Sequence, residues 1–305
     1  MAQRPTLTLT GCERPALFAQ VMADLAACDP GGWHLHVGIE PGPQAAHFDQ
    51  ICAAHLPPGS YTLTVNPTRL GVLENPLQTL ERAFASGSAF NLHLEEDLRL
   101  SPDALQMALW YRDNRRPHWA ALNLLCGSCG TTGYLSRPDH PGLLTETRLF
   151  NSLGFATDRT HWQQLLHPVW SAHRLPRRQR PRYFGAIGWD WALSGAIHEN
   201  ETLRVVQPIC ARATHIGHTG THCTPEFQDA AFGGLEICDT LVDSYRYVAP
   251  ETLPQTVRSH LGVLEELTQT RADFGRYKMT HVPSRLKRWK ALWRSRHHRT
   301  GQNRQ

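Results

Sequence analysis

The constraint that most narrows the fold is the alternation of strand and helix over the first ninety residues. Thr6 to Thr10 (TLTLT) alternates apolar and polar positions as a half-buried strand does, and the turn Gly11-Cys12-Glu13-Arg14-Pro15 leads into the helical sequence ALFAQVMADLAAC. Trp33 to Ile39 reads as a second strand, ending at Glu40 before Pro-Gly-Pro, and Ser60 to Val65 as a third, running into Asn66-Pro67-Thr68-Arg69. Leu77 to Ala85 has helical periodicity after an Asn75-Pro76 start, with Leu77, Leu80 and Phe84 on one face. Such an alternation predicts α/β architecture: a mostly parallel central sheet with crossover helices. In open sheets of this kind ligands bind beyond the carboxyl ends of the strands. Arg14, Glu40, Arg69 and the end of the next strand all fall on that edge.

The next strand carries the chemistry. In FNLHLEEDLRLSPDAL an apolar run (Phe90, Leu92, Leu94) delivers Glu95-Glu96-Asp97, followed by Ser101-Pro102-Asp103, a helix start expected to run through Trp110. Three adjacent carboxylates repel one another, and near a buried strand end a cation or a set of donors must neutralise them. A divalent metal does this economically. Hard oxygen ligands suit magnesium or manganese, which share their coordination shell with substrate phosphates. A solvated, charged turn is the plain alternative, but it requires neither the apolar strand before it nor the capped helix after it.

Trp119 to Leu125 and Phe150 to Ala156 read as further strands, and Asp158 as the cap of a helix THWQQLLHPVW. Cys126 and Cys129 form a lone CGSC in a glycine-rich loop, read as two free thiols. Eight cysteines scattered through 305 residues fit a reducing compartment. With no secretory signal and no apolar run long enough to span a bilayer, the expected location is the cytoplasm. Neither GxGxxG nor GxxxxGK[ST] follows a strand, which argues against a Rossmann dinucleotide site and a P-loop.

The segments NPTRLGVLENPLQTLERAF, LHLEEDLRLSPDAL, FNSLGFATDRTHWQQL, GWDWAL and RATHIGHTGTH succeed one another between Leu7 and Phe227. Their order resembles that of GT-A glycosyltransferases, closest in pattern to the N-acetylglucosaminyltransferase I type. The resemblance implies a metal-dependent, inverting transfer from a UDP-sugar such as UDP-GlcNAc. It implies that Asp97 binds the Mn2+ or Mg2+, and that Glu96 and Glu95 contact ribose and donor sugar, with Glu96 standing where an aspartate is more usual. It implies that Arg14 and Glu40 contact uracil and ribose, Asn66 and Arg69 the same donor, and Arg212 or His215 the diphosphate. Asp190 is implied as the general base that takes the acceptor hydroxyl's proton. Its flanking tryptophans would raise its pKa, and an N-cap role for it stays open. His215, His218 and His222 invite a zinc reading, which the two intervening glycines weaken.

The implied organisation is a GT-A-like catalytic domain over 1–233, with a nucleotide-binding half (1–100) and an acceptor-side half (101–233). A helical extension (234–275) and a basic amphipathic tail (276–305) follow. Cys238 to Val248 and Thr252 to Thr270 read as helices, the second with Val257, Leu261, Leu264 and Leu267 as its apolar stripe. Over 282–299, Val282, Leu286, Trp289 and Trp293 share one helical face and basic residues fill the rest. That pattern reads either as an anchor on an anionic membrane surface, the inner face, or as a helix packed on its own domain. No nucleic-acid partner is expected, because the aromatic residues share one face. The acceptor is then a glycan or a lipid-linked glycan. Two other classes remain open: a nucleotidyltransferase on the same sheet edge, which GCERP fits poorly as a phosphate loop, and a non-catalytic glycan- or lipid-binding protein, which leaves the acids unexplained.

Overall fold

A computed structural model of the chain describes residues 4–127, 134–176, 179–180, 189–218 and 223–266. Cys129, His222, Leu267 and the basic segment 282–299 lie outside the described residues. The first half runs β1 (Thr6–Gly11), α1 (Pro15–Ala27), β2 (His34–Ile39), α2 (Ala45–His55), β3 (Tyr61–Val65), α3 (Gly71–Ala85), β4 (Phe90–Glu95), β5 (Leu98–Leu100), α4 (Ala104–Asn114) and β6 (Trp119–Asn123). Then come β7 (Leu143–Thr147), β8 (Phe155–Asp158), α5 (Arg159–His161), α6 (His167–Ser171), α7 (Trp189–Glu199), β9 (Arg204–Pro208), β10 (Ala213–His215), α8 (Pro225–Phe232) and β11 (Arg246–Tyr247).

Nine strands form one sheet in the order β11-β7-β9-β6-β8-β4-β1-β2-β3. The block β4-β1-β2-β3 is parallel, as the strand–helix alternation predicts. Strand β8 enters antiparallel between β4 and β6, and β7 is antiparallel to β9. One face of the parallel block is aliphatic: Leu7, Leu9, Leu35, Val37, Ile39, Leu92 and Leu94 pack with Phe18, Val21, Met22 and Phe48 of α1 and α2. The other face is polar, with the Thr8 hydroxyl 2.9 Å from His93 Nδ1 and Asn91 Nδ2 donating to Thr6 O at 3.1 Å. Helix α3 lies over it.

Several boundaries differ from those expected. Helix α3 starts at Gly71, six residues before Leu77, and Pro76 lies one turn inside it. The reason is Glu40, whose carboxylate accepts from the N–H groups of Leu70 (2.9 Å) and Gly71 (2.6 Å) and so caps an earlier first turn. Helix α4 starts at Ala104 rather than at Pro102, after a turn in which Ala104 N donates to Ser101 O at 3.1 Å. Strand β8 begins only at Phe155: Asn151 Oδ1 accepts from Leu153 N at 2.9 Å in a local turn that Gly154 completes at φ +81°. Cys238–Val248 is not helical. Its Tyr245 hydroxyl reaches Asp103 Oδ2 (2.6 Å), and Arg246–Tyr247 pairs with β7. Asp158 caps α5 as expected, accepting from Thr160 N and His161 N. A helix over 255–266 buries Val257, Leu261 and Leu264, the stripe read from sequence, the first two beside Cys126 and Ile209.

The crossing of α3 over β2 is close. A Cβ on Gly38 would stand 2.1 Å from Thr79 Oγ1 and 2.7 Å from Asn75 Oδ1. Gly38→Ala must push the helix off the strand, and we expect a loss of about 3 kcal/mol, at the upper end of overpacking costs, read from the urea midpoint.

Candidate active site

The site is assembled by the end of β4 and the small antiparallel sheet beyond it. Glu95 closes β4 opposite Thr10 of β1. The chain then turns through Glu96 and Asp97 into β5, which pairs with β10 so that Leu98 stands opposite His215. That register brings His215 Nε2 to 3.1 Å from Asp97 Oδ2, while Ile216 N donates to Asp97 O at 2.8 Å. From the other side Arg14, at the start of α1, spans two acids, with Nε 2.8 Å from Glu96 Oε1 and Nη2 2.8 Å from Asp97 Oδ2. Cys12 N donates to the second oxygen of Glu96 at 2.8 Å.

Gly217 seals this cluster, since a Cβ there would lie 2.8 Å from Asp97 Oδ2 and 3.0 Å from Arg14 Nη1. Gln228 of α8 backs it. Its amide nitrogen donates to His215 O at 2.5 Å, which leaves its oxygen, 2.6 Å from Nδ1, to accept the ring proton.

Charge is balanced within the chain. Burial raises the Glu95 carboxyl to about 8, helped by Asp97 and Asp190 and opposed by His215 and Arg14. Burial also raises Glu96, against the hydrogen bond from Cys12 N and the guanidinium of Arg14. For Asp97 burial again pushes upward, but His215 and Arg14 outweigh it and hold the carboxyl below its ordinary value. Burial opposes the His215 charge, yet Asp97 and Gln228 raise its pKa. Arg14 and His215 thus supply countercharge to Glu96 and Asp97 from within the chain.

A metal still fits, in a narrower way. Asp97 is 5% exposed, and its Oδ1 is buried without a hydrogen-bond partner. Among the described residues no group of three His, Cys, Asp or Glu side chains could hold an ion alone. One carboxylate oxygen, completed by water and diphosphate oxygens, is the donor set that magnesium or manganese accepts. The residues suit a site shared with substrate rather than an all-protein cage.

Four expected donor contacts have other partners. Both oxygens of Glu40 cap α3, and the residue is 3% exposed. Asn66 is buried and donates to Asn75 Oδ1 at 2.9 Å, which in turn ties α3 to Gly38 O. Arg69 stays at the surface of the edge, 2.9 Å from Glu13 and 3.4 Å from Cys12 Sγ. Arg212 lies in the core. It is fully buried, with Nε 2.8 Å from Asp103 Oδ1, Nη1 2.6 Å from Cys210 O and Nη2 on Pro141 O, because its position between β9 and β10 points it into the core.

Asp190 stands in the first turn of α7, near enough to Glu95 for its charge to help raise that carboxyl. The ring of Trp189 stacks on Trp170 in the core with centroids 3.5 Å apart. His218 is exposed, apart from buried His215. Cys12, Gly217 and Gln228 escaped the sequence reading. Gly217 was signalled by its place between two histidines, whereas Gln228 reaches the site from another element and leaves no local mark.

At the level of sequence, no protein-family model and no curated protein matches the chain. Among solved structures, S. aureus TarS 1–349 in complex with UDP-GlcNAc superposes with a TM-score of 0.50 at 12% identity, over 91% of this chain and 73% of that one. The fold is GT-A-like. Within this GT-A-like frame the Asp97 cluster lies beyond the carboxyl ends of β1 and β4, where open α/β sheets bind ligands. The mannosyltransferase PcManGT from Pyrobaculum calidifontis in complex with GDP-Man and Mn2+ gives a TM-score of 0.40 at 15% identity, over 54% of this chain and 47% of that one. The chain thus spans less than half of that protein's length. A mannose-1-phosphate geranyltransferase from Thermus thermophilus gives 0.40 at 13% identity, over 70% and 76%. The likeness reaches the GT-A-like fold and not the N-acetylglucosaminyltransferase I type. No helix among the described residues is long and apolar enough to cross a membrane.

Proposed function

We propose that the chain is a glycosyltransferase that moves a sugar from a UDP-sugar, with inversion and with the help of Mn2+ or Mg2+, to a glycan or lipid-linked acceptor. The observation that carries this is Asp97: a buried carboxylate at the ligand-binding edge with one oxygen engaged by Arg14 and His215 and the other unpartnered. The bound UDP-GlcNAc of the TarS complex, on a similar fold, supports a uridine donor.

In this reading Asp97 Oδ1 holds the metal, and Arg14 Nη2 and His215 Nε2 present positive charge to the diphosphate. The metal, when bound, stabilises the negative charge on the leaving diphosphate. Glu96, fixed by Cys12 N, holds the Arg14 guanidinium in place. Glu95, whose carboxyl burial and Asp97 hold above its ordinary pKa, faces the sugar. Asp190 accepts the acceptor hydroxyl's proton as that oxygen attacks the anomeric carbon.

Asp190→Asn tests the last assignment. It should lower kcat for transfer by on the order of 10²–10⁴-fold, the contribution of a general base, while UDP affinity measured by calorimetry stays within about twofold. Equal losses in UDP affinity and rate would assign Asp190 to donor binding instead.

A further inference from the structure

We propose that Arg14 is a latch on Asp97 which the donor's diphosphate releases, so that divalent cation and nucleoside diphosphate enter as a thermodynamically coupled pair. This rests on the metal-diphosphate reading above and adds to it the order in which charges exchange partners.

The two arms of the guanidinium differ. The Nε arm is held by Glu96, a buried carboxylate whose other oxygen is fixed by Cys12 N. The Nη2 arm rests on Asp97 Oδ2, which it shares with His215. Arg14's side chain is 34% exposed against 7% for Asp97, so Arg14 is the solvent-facing member of the pair. Gly217 gives the outer end of the guanidinium room, since any Cβ there would stand 3.0 Å from Nη1.

A cation approaching Asp97 Oδ1 meets this guanidinium at a few ångströms, and like charges at that range repel strongly away from bulk water. A diphosphate reverses the balance. Its oxygens accept the fork of N–H donors better than one carboxylate oxygen already shared with an imidazole. Drawing Nη2 off Asp97 removes the repulsion and frees the carboxylate for metal. By linkage each ligand then raises the other's affinity by the same factor.

The full-length chain tests this with Mn2+, followed by the electron paramagnetic resonance of the free ion, and with UDP as the nucleotide probe. In the wild type, saturating UDP should tighten Mn2+ binding by on the order of tenfold or more. Arg14→Gln should bind Mn2+ alone on the order of tenfold tighter than the wild type, bind UDP more weakly, and show a smaller effect of UDP on Mn2+. Arg14→Lys keeps the charge but cannot span both acids. It should also bind Mn2+ alone more tightly than the wild type, and it serves if the glutamine variant does not fold. Mn2+ affinity unchanged or weakened in the folded variants, with UDP-dependent Mn2+ binding intact in the wild type, overturns the latch alone. A wild-type chain that binds no Mn2+ even with UDP overturns the latch and the metal reading together.

Discussion

Arg212→Met is expected to destabilise the folded chain by about 3–5 kcal/mol, the cost of leaving one member of a buried ion pair without its partner. Arg212 and Asp103 are both fully enclosed, 2.8 Å apart, and each is tied to other groups: the guanidinium to Cys210 O and Pro141 O, the carboxylate to the hydroxyl of Tyr245. The pair pins the β9–β10 connection to the start of α4, and Tyr245 adds the 234–248 segment to the same knot. Removing the cation strands the Asp103 charge. The double variant Arg212→Met/Asp103→Leu should therefore recover much of the loss, because an apolar pair of similar volume avoids the desolvation that the ions suffer. Urea unfolding of the single and double variants measures both effects. A diphosphate-contact role predicts the opposite pattern: weaker UDP binding with unchanged stability.

The sheet was legible from sequence because its signal is local and periodic. TLTLT, HLHVGI and FNLHLE each place apolar residues at every second position, and those side chains pack against α1 and α2. The stripe of Val257, Leu261 and Leu264 was legible for the same reason, at a period of 3.6. What was misread depends on contacts distant in sequence. Asn75-Pro76 reads locally as a helix start, but a carboxylate thirty-one residues before Gly71 caps the helix earlier. Cys238–Val248 passes for a helix until Tyr245 is seen to reach Asp103, 142 residues away.

The site divides in the same way. The triplet stood out at the end of β4, since three acids after an apolar strand form a contiguous pattern. Its electrostatics could not be read there. The countercharges come from Arg14, 82 residues before Glu96, and from His215, delivered by the pairing of β5 with β10. Arg212 and Glu40 were charged residues at plausible positions, and in both the fold had a structural use for the charge: a buried ion pair in one, a helix cap in the other.

Asp97→Asn addresses the central claim most directly, because the amide keeps the shape of the side chain and removes the charge that Arg14 pairs with and that the proposed metal would use. The measurement is Mn2+-dependent release of UDP from a panel of UDP-sugars by the wild type and the variant, with thermal unfolding of each as a control. The expected result is release by the wild type that EDTA abolishes, and a variant slower by on the order of a hundred- to a thousandfold while still folded. A folded Asp97→Asn chain that releases UDP at the wild-type rate would contradict the assignment of this cluster as the donor site.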